Sequence, residues 1–283
     1  MLTLQDVQEA KERLTPIIHD FPLVKSTTFS QMTGGEIYLK QENQQKTGSF
    51  KVRGASNKIM KMAENGPVGT VIASSAGNHA QGVAFAAAKT GAHAIIVMPK
   101  TAPIAKASAT RGYGAEVVLH GSCYDEAYAK AVELQKEYNA TFIHPFNDYD
   151  VMAGQGTLAI EMLRDQPDLD MLLIQAGGGG LIAGVATAAK AINPKVKVIG
   201  VQAEGAPAIY ESFHQPEIHA SKNVSTIADG IAVKTPGDLT MELINRYVDQ
   251  MVVVGDDDIA STIMLLLERS KQVVEPSGAI TLA

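Results

Sequence analysis

Residues 69–98 read GTVIASSAGNHAQGVAFAAAKTGAHAIIVM and carry the clearest secondary-structure pattern in the chain. The apolar runs at 69–74 and 93–98 predict two buried strands. Between them, residues 78–90 are rich in Ala and predict a helix that ends at Gly91. A strand, a helix and a second strand in this order predict a βαβ unit with parallel strands.

The same alternation continues on both sides of this unit and predicts a protein of the α/β class. Further strands are predicted at 36–40, 116–120, 171–176, 196–203 and 250–255. Further helices are predicted at 4–14, 53–64, 103–111, 123–138, 151–165, 180–192, 207–213, 238–247 and 257–271, the last with Asp256 as its N-cap. We expect two open, twisted, mainly parallel sheets, joined near residues 145–150, with ligands bound at the carboxyl ends of the strands.

Composition limits the classes of function. The 283 residues include 24 Lys and Arg against 30 Asp and Glu, a net charge of −6, so a general nucleic-acid surface is not expected. Apolar runs are interrupted before the roughly 18 residues that a membrane span needs, so no association with a membrane is expected. Cys123 is the single cysteine, so no internal disulfide can form, and we expect a cytoplasmic protein.

Four consecutive glycines, Gly177, Gly178, Gly179 and Gly180, follow the predicted strand at 171–176 and open the helix at 180–192. Their N–H groups are not obstructed by side chains, and the N-terminus of the helix adds partial positive charge. Both features suit the binding of a phosphate. A tight turn that binds nothing is the alternative interpretation.

The spacing around this turn leaves one dinucleotide hypothesis open. Gly178, Gly180 and Ala183 match the pattern G-x-G-x-x-A, and Glu204 follows about 20 residues later at the end of the next predicted strand. That position is where an acid binds the ribose of a nicotinamide cofactor. A nicotinamide-dependent oxidoreductase is therefore one candidate.

Lys51 lies in TGSFKVRGA, residues 47–55, between a Gly-Ser turn and the start of a helix. The apolar neighbours Phe50 and Val52 and the nearby helix N-terminus disfavour an ammonium ion, so a lowered pKa is expected for Lys51. A neutral lysine is a nucleophile and can form a Schiff base. A solvated surface lysine is the alternative.

The segment SSAGNH, Ser74 to His79, also lies between a buried strand and a helix. Small residues and free N–H groups at a helix N-terminus suit a carboxylate, and Asn78 adds an amide donor. An ordinary helix cap is the alternative interpretation.

No metal site is predicted. The seven histidines are scattered without ligand spacing, and the sequence has no G-x-S-x-G, H-E-x-x-H or C-x-x-C motif. The acidic run at 256–258 favours a helix N-terminus over a metal site.

One enzyme family contains the same motifs in the same order along essentially the whole chain: SFKVRGA, SSAGNHAQGVA, VMPKTAPIAKA, GAEVVLHG, AGQGTLAIE, GGGGLIAG, IGVQAE, ADGIAV and VVEPSGA. The sequence resembles the fold type II pyridoxal-phosphate enzymes, in particular the threonine/serine dehydratases. The resemblance implies a tryptophan synthase β-like fold with two domains. Residues 1–53 plus 150–283 would form a large cofactor-binding domain, and residues 54–149 a small substrate-loop domain.

The resemblance also implies roles for individual residues. Lys51 would hold pyridoxal 5′-phosphate covalently and then act as the base, Phe50 would pack against the pyridine ring, and Asn78 would hydrogen-bond the 3′-oxygen. Gly177, Gly178, Gly179 and Gly180 would bind the phosphate. The substrate carboxylate would be held by Ser75, Ala76, Asn78 and His79, largely through backbone N–H groups.

The activity implied by the resemblance is the elimination of water and ammonia from a small hydroxy amino acid. L-Threonine would give 2-oxobutanoate and L-serine would give pyruvate, in a homo-oligomer of two or four chains. Serine racemases are close neighbours in this family, but they have a serine at the position of Ala76, and a methyl group cannot transfer a proton. A non-catalytic binder with the same fold is a further alternative.

The sequence departs from the family pattern in two further places. The family continues past residue 283 with a strand whose serine meets the pyridine nitrogen, and Ser277 is only a weak substitute for it. Some relatives bind a divalent cation near the residue that matches Glu204. Tyr210 stands where a carboxylate ligand would be needed, so we expect local pairing of Glu204 and no metal.

Overall fold

The computed structural model describes residues 1–283 as alternating strands and helices. The strands are β1 (Val24–Lys25), β2 (Tyr38–Leu39), β3 (Thr70–Ser74), β4 (His93–Met98), β5 (Glu116–Leu119), β6 (Thr141–Phe142), β7 (Met171–Gln175), β8 (Lys197–Ala203) and β9 (Gln250–Val254). The helices are α1 (Leu4–Leu14), α2 (Thr27–Thr33), α3 (Lys51–Ala63), α4 (Asn78–Thr90), α5 (Ile104–Gly112), α6 (Tyr124–Glu137), α7 (Tyr149–Asp165), α8 (Gly180–Ile192), α9 (Ala208–Ser212), α10 (Asp238–Tyr247), α11 (Asp256–Leu265) and α12 (Pro276–Ala279). None of these helices is both long enough and apolar enough to cross a membrane.

Two parallel sheets confirm the predicted α/β class. One has the strand order β5-β4-β3-β6 and the other the order β7-β8-β9, and every neighbouring pair within them is parallel. A separate antiparallel pair joins β1 to β2. Strand β6 was not predicted, because two residues are too few to show a hydrophobic period.

Several predicted boundaries are corrected by the structure. Helix α3 begins at Lys51, two residues before the predicted start, so the lysine is part of the helix. The predicted strand at 36–40 contains only the two residues of β2. The predicted helix at 257–271 is α11 followed by a π-helical turn, Leu266–Ser270.

Asp256 is not the N-cap of this last helix, as the sequence suggested. Gly255 occupies the N-cap position, and no side chain caps the helix. The Asp256 carboxylate instead accepts hydrogen bonds from the Thr226 hydroxyl (2.5 Å) and the Ile227 N–H (3.0 Å). A tertiary contact thus takes the carboxylate that the local pattern assigned to the helix end.

The four-stranded sheet is covered on both faces. Alternate residues of β3 point to opposite sides, so Val71 and Ala73 pack in the core that includes α3 and α4, while Ile72 packs with α6. This two-sided burial explains why β3 and β4 are almost continuously apolar. The largest core packs β7 and β8 against α7 and α8.

Helices α3, α7 and α8 approach each other at glycines. A Cβ atom at Gly154 of α7 would lie 2.5 Å from the carbonyl oxygen of Arg53 in α3. On the other side of α7, a Cβ at Gly184 of α8 would lie 2.1 Å from the carbonyl oxygen of Met152. Because α3 begins at Lys51 and α8 begins at Gly180, these contacts hold the lysine and the glycine turn in one rigid frame.

We expect Gly184→Ala to destabilise the protein. Alanine favours a helix by about 1 kcal/mol over glycine, but forcing a methyl group against backbone typically costs about 1–3 kcal/mol. The net change in the free energy of unfolding, measured by urea denaturation, should therefore be a loss. Gly112→Ala is the control, because a Cβ there meets nothing within 4 Å. A Gly184→Ala protein as stable as the control would contradict the close crossing.

Candidate active site

Lys51 is the first residue of α3, and its immediate neighbour provides an aromatic ring. The Nζ atom of Lys51 lies 5.4 Å from the centroid of the Phe50 ring. Burial lowers the pKa of Lys51 to about 8, against the opposing effect of the Glu275 carboxylate. The lowered pKa agrees with the sequence-based expectation, and the neutral form of a lysine amine can act as a nucleophile.

The segment Ser75 to His79 connects β3 to α4, where predicted. Asn78 is the first residue of α4, and its side-chain amide donates a hydrogen bond of 2.7 Å to Glu275. Burial is the main cause that raises the pKa of Glu275, and the hydrogen bond from Asn78 partly opposes it. Glu275 was not singled out from the sequence, since it lies 197 residues from Asn78.

His79 is a buried, neutral side chain. Its Nε2 lies 2.8 Å from the carbonyl oxygen of Ile143, so this nitrogen carries the proton and donates. Burial lowers the pKa of His79 to about 3, with a smaller effect from the charge of Lys51. The imidazole therefore contributes no positive charge for a carboxylate, and the donors of this segment are uncharged backbone and side-chain groups.

The glycine turn lies between the end of β7 and the start of α8. Gly179 has a φ of +97° at the N-cap of α8, a conformation that disfavours other residues. A Cβ at Gly178 would lie 2.3 Å from the ring of Phe146, so packing also requires a glycine there. The N–H groups of Gly177, Gly178 and Gly179 donate no hydrogen bond within the chain. They are free to bind an anion.

The loop at 143–147 brings these segments together. The ring of Phe146, which covers the glycine turn, stands edge-on to His144 with the centroids 4.6 Å apart. Nδ1 of His144 accepts a hydrogen bond of 2.8 Å from the Asn147 N–H, and burial lowers its pKa to about 4. The sequence indicated only a loop here, because neither the histidine nor the phenylalanine belongs to a spaced motif.

A cavity of about 550 Å³ opens beside Lys51. Phe50, Lys51, Asn78, Glu275 and Ser277 line it together. The Ser277 hydroxyl is buried and has no hydrogen-bond partner in the chain. Ser75, Ala76, His79 and the four glycines do not line this cavity, although the residues that flank the glycine turn, Gln175 and Leu181, do.

The family model described as pyridoxal-phosphate dependent enzyme matches residues 14–283. The chain belongs to this family. The fold is accordingly that of the type II pyridoxal-phosphate enzymes, and pyridoxal phosphate is the cofactor. Family membership favours this cofactor over the nicotinamide alternative. Glu204 was the candidate ribose ligand in the nicotinamide hypothesis, and we otherwise expected it to pair locally. Its side chain is exposed and makes no hydrogen bond or ion pair, so the expected local pairing is wrong.

Three known proteins illustrate the similarity. An L-threonine ammonia-lyase of Thermotoga maritima is 50% identical over 283 residues, which is all of this chain and 71% of that protein. The structure of maize serine racemase has a TM-score of 0.95 and 36% identity, covering 99% of this chain and 85% of the racemase. The processed form of threonine deaminase isoform 2 from Solanum lycopersicum has a TM-score of 0.94 and 38% identity, covering 99% and 76%.

The residues present fit pyridoxal phosphate. The cavity provides an amine for its aldehyde, an aromatic ring beside that amine, and a buried hydroxyl without a partner. The free N–H groups of the glycine turn are suited to its phosphate. The fit depends on residues from three separate parts of the chain.

We expect the reactivity of Lys51 to follow a pH midpoint of about 8 in the folded, cofactor-free protein. Burial favours the neutral amine, so labelling by an amine reagent should rise through this pH and then level off. Mass spectrometry of the peptide that contains residue 51 measures the labelling. In the urea-unfolded protein the midpoint should return to the ordinary lysine value of about 10.4. Identical midpoints in the two states would show that folding does not activate the lysine.

Proposed function

We propose that this chain is an ammonia-lyase that converts L-threonine to 2-oxobutanoate and ammonia, and L-serine to pyruvate and ammonia. The similarity to an L-threonine ammonia-lyase over the entire chain supports this substrate. The observation that carries the proposal is the amine of Lys51, whose pKa is lowered to about 8 in the cavity that it shares with Phe50 and Asn78.

The cofactor, when bound, acts as an electron sink for the negative charge that develops at the substrate Cα. Lys51 removes the α-proton, because a neutral amine with a pKa near the working pH is an effective general base. The β-hydroxyl then leaves as water, and hydrolysis of the released product frees ammonia and the 2-oxo acid. One water molecule is lost and one is consumed, so the reaction balances.

The other site residues bind and orient. In this proposal Phe50 packs against the cofactor ring, Asn78 donates to its 3′-oxygen, and the glycine turn at 177–180 binds its phosphate. Ser75, Ala76, Asn78 and His79 hold the substrate carboxylate. These last contacts are made largely by backbone N–H groups, consistent with the neutral imidazole of His79.

The organisation of the protein is also part of the proposal. Residues 1–53 plus 150–283 form the cofactor domain and residues 54–149 the substrate-loop domain, in line with the two separate parallel sheets. We place the enzyme in the cytoplasm as a homo-oligomer of two or four chains. The exposed thiol of Cys123 is consistent with a reducing compartment.

Serine racemisation is the second candidate, because the maize racemase is so similar in structure. Racemisation needs a proton donor on the face of Cα opposite the lysine. The resemblance places Ala76 at the position of that donor, and its methyl group cannot carry a proton. This favours elimination.

We expect Lys51→Ala to lower 2-oxobutanoate formation from L-threonine by at least about 10³-fold, within the range of general acid–base effects. The rate is measured with purified protein reconstituted with pyridoxal phosphate. Lys46→Ala is the matched control, because Lys46 is exposed and lies just before the same segment. If both variants turn over at the same rate, Lys51 is not the base.

With L-serine as substrate, we expect pyruvate to form much faster than D-serine. Chiral chromatography and a pyruvate assay on the same reaction give the two rates. Ala76→Ser should raise the D-serine fraction by supplying a hydroxyl at this position, while Lys51→Ala should abolish both products. A wild-type protein that forms D-serine faster than pyruvate would make racemisation the main activity.

A further inference from the structure

We propose that Arg53 is a positioning residue that holds Lys51 in the active site through a buried network of ion pairs. This inference rests on the proposed role of Lys51 and adds a residue that does not touch the cavity. Arg53 is completely buried and lies two residues after the lysine in α3.

The guanidinium of Arg53 is fixed on both sides by carboxylates. Its Nε and one terminal nitrogen donate to the two oxygens of Glu42, each at 2.8 Å. Its terminal nitrogens also donate to the two oxygens of Glu161, at 2.8 and 2.9 Å, and one donates to the Thr157 hydroxyl at 3.0 Å. Two bidentate pairs leave the planar group no freedom to rotate.

Glu161 connects this pair to the rest of the fold. Its carboxylate, on α7, also accepts from Lys11 of α1 and from Lys40, which directly follows β2. Burial alone would raise the pKa of Glu161, but hydrogen bonds from Arg53 and the two lysines hold it below its ordinary value. The carboxylate is therefore ionised, and four segments of the chain meet at one buried charge.

The fixed position of Arg53 restrains Lys51 through the backbone of α3. The N–H of Arg53 donates to the carbonyl of Phe50 at 3.0 Å, so the turn that contains Lys51 is closed by the anchored residue. No side chain caps α3, and the Lys51 N–H makes only a long contact of 3.4 Å with the Ser49 hydroxyl. Anchoring the side chain of Arg53 therefore restrains the first turn of a helix that no side chain caps.

A purely stabilising role would not require charges here. Buried ion pairs often contribute no more stability than well-packed apolar residues of similar volume, because desolvation offsets their attraction. What they add is a fixed geometry. The geometry at stake is the position of the Lys51 amine, whose low pKa depends on burial.

The test compares Arg53→Lys and Glu42→Gln with wild type. Lysine keeps the charge but cannot bind two carboxylates bidentately, and glutamine keeps the shape of Glu42 but loses its charge. Loosening the first turn of α3 should expose the amine to water and raise its pH midpoint by about one unit, a roughly fivefold fall in neutral amine at pH 8. The midpoint is measured on cofactor-free protein by labelling of the peptide containing residue 51.

Arg13→Met is the matched control. Arg13 binds Glu64 at 2.6 Å and Asn57 at 2.6 Å, towards the other end of the same helix. Its loss should reduce thermal stability and leave the Lys51 midpoint unchanged. If Arg53→Lys does not fold, Glu42→Gln decides, because Glu42 lies at the edge of the network on the turn at 42–44.

The outcomes separate the two claims. A wild-type midpoint near the ordinary lysine value would overturn the activated lysine of the proposed function. A low wild-type midpoint that is unchanged in Arg53→Lys and Glu42→Gln would overturn the positioning role alone. A rise of equal size in Arg13→Met would overturn it too, because any weakening of α3 would then suffice. A rise confined to the network variants supports it.

Discussion

The close approach of α3, α7 and α8 sets the geometry around the active site. Glycines at 154 and 184 allow backbone to meet backbone, with a would-be Cβ only 2.5 and 2.1 Å from the facing carbonyl oxygens. Helix α7 is consequently buried between its neighbours, and nearly every residue from Val151 to Leu163 is inaccessible to water. The helices that begin at Lys51 and Gly180 are both packed against it, so the separation of amine and glycine turn is fixed.

Burial then determines the charge states around the amine. The same low-dielectric surroundings that lower the pKa of Lys51 keep His79 and His144 neutral and raise the pKa of Glu275. A neutral amine is the form that attacks an aldehyde and accepts a proton. Farther inside, the charges of Arg53 and Glu161 survive burial because each is paired and hydrogen-bonded. In our proposals, the surroundings of Lys51 make its amine reactive, and the network of Arg53 and Glu161 holds that amine in position.

The sequence predicted some parts of the fold to the residue and missed others. The predicted bounds of α4, β4, α8 and α10 agree with the structure. Gly91 and Asn193-Pro194 provided the stop signals for α4 and α8. The prediction of Asp256 as an N-cap was wrong, because its carboxylate instead accepts hydrogen bonds from Thr226 and Ile227 on a distant loop. Glu42, Glu161 and Glu275 carried no local signal, and their importance comes from partners that are remote in sequence.

Features that depend on nearby residues could be predicted without the structure: the α/β alternation, the lysine at a helix start, the small residues of SSAGNH and the glycine turn, together with a family resemblance. These features depend on neighbours within a few residues, so short-range sequence patterns predict them. The folded chain was needed to show that Asn78 reaches Glu275, that Phe146 covers the glycine turn, and that Arg53 and Glu161 form one buried network. Such contacts join residues up to 197 positions apart, and their geometry exists only once the helices and sheets have packed.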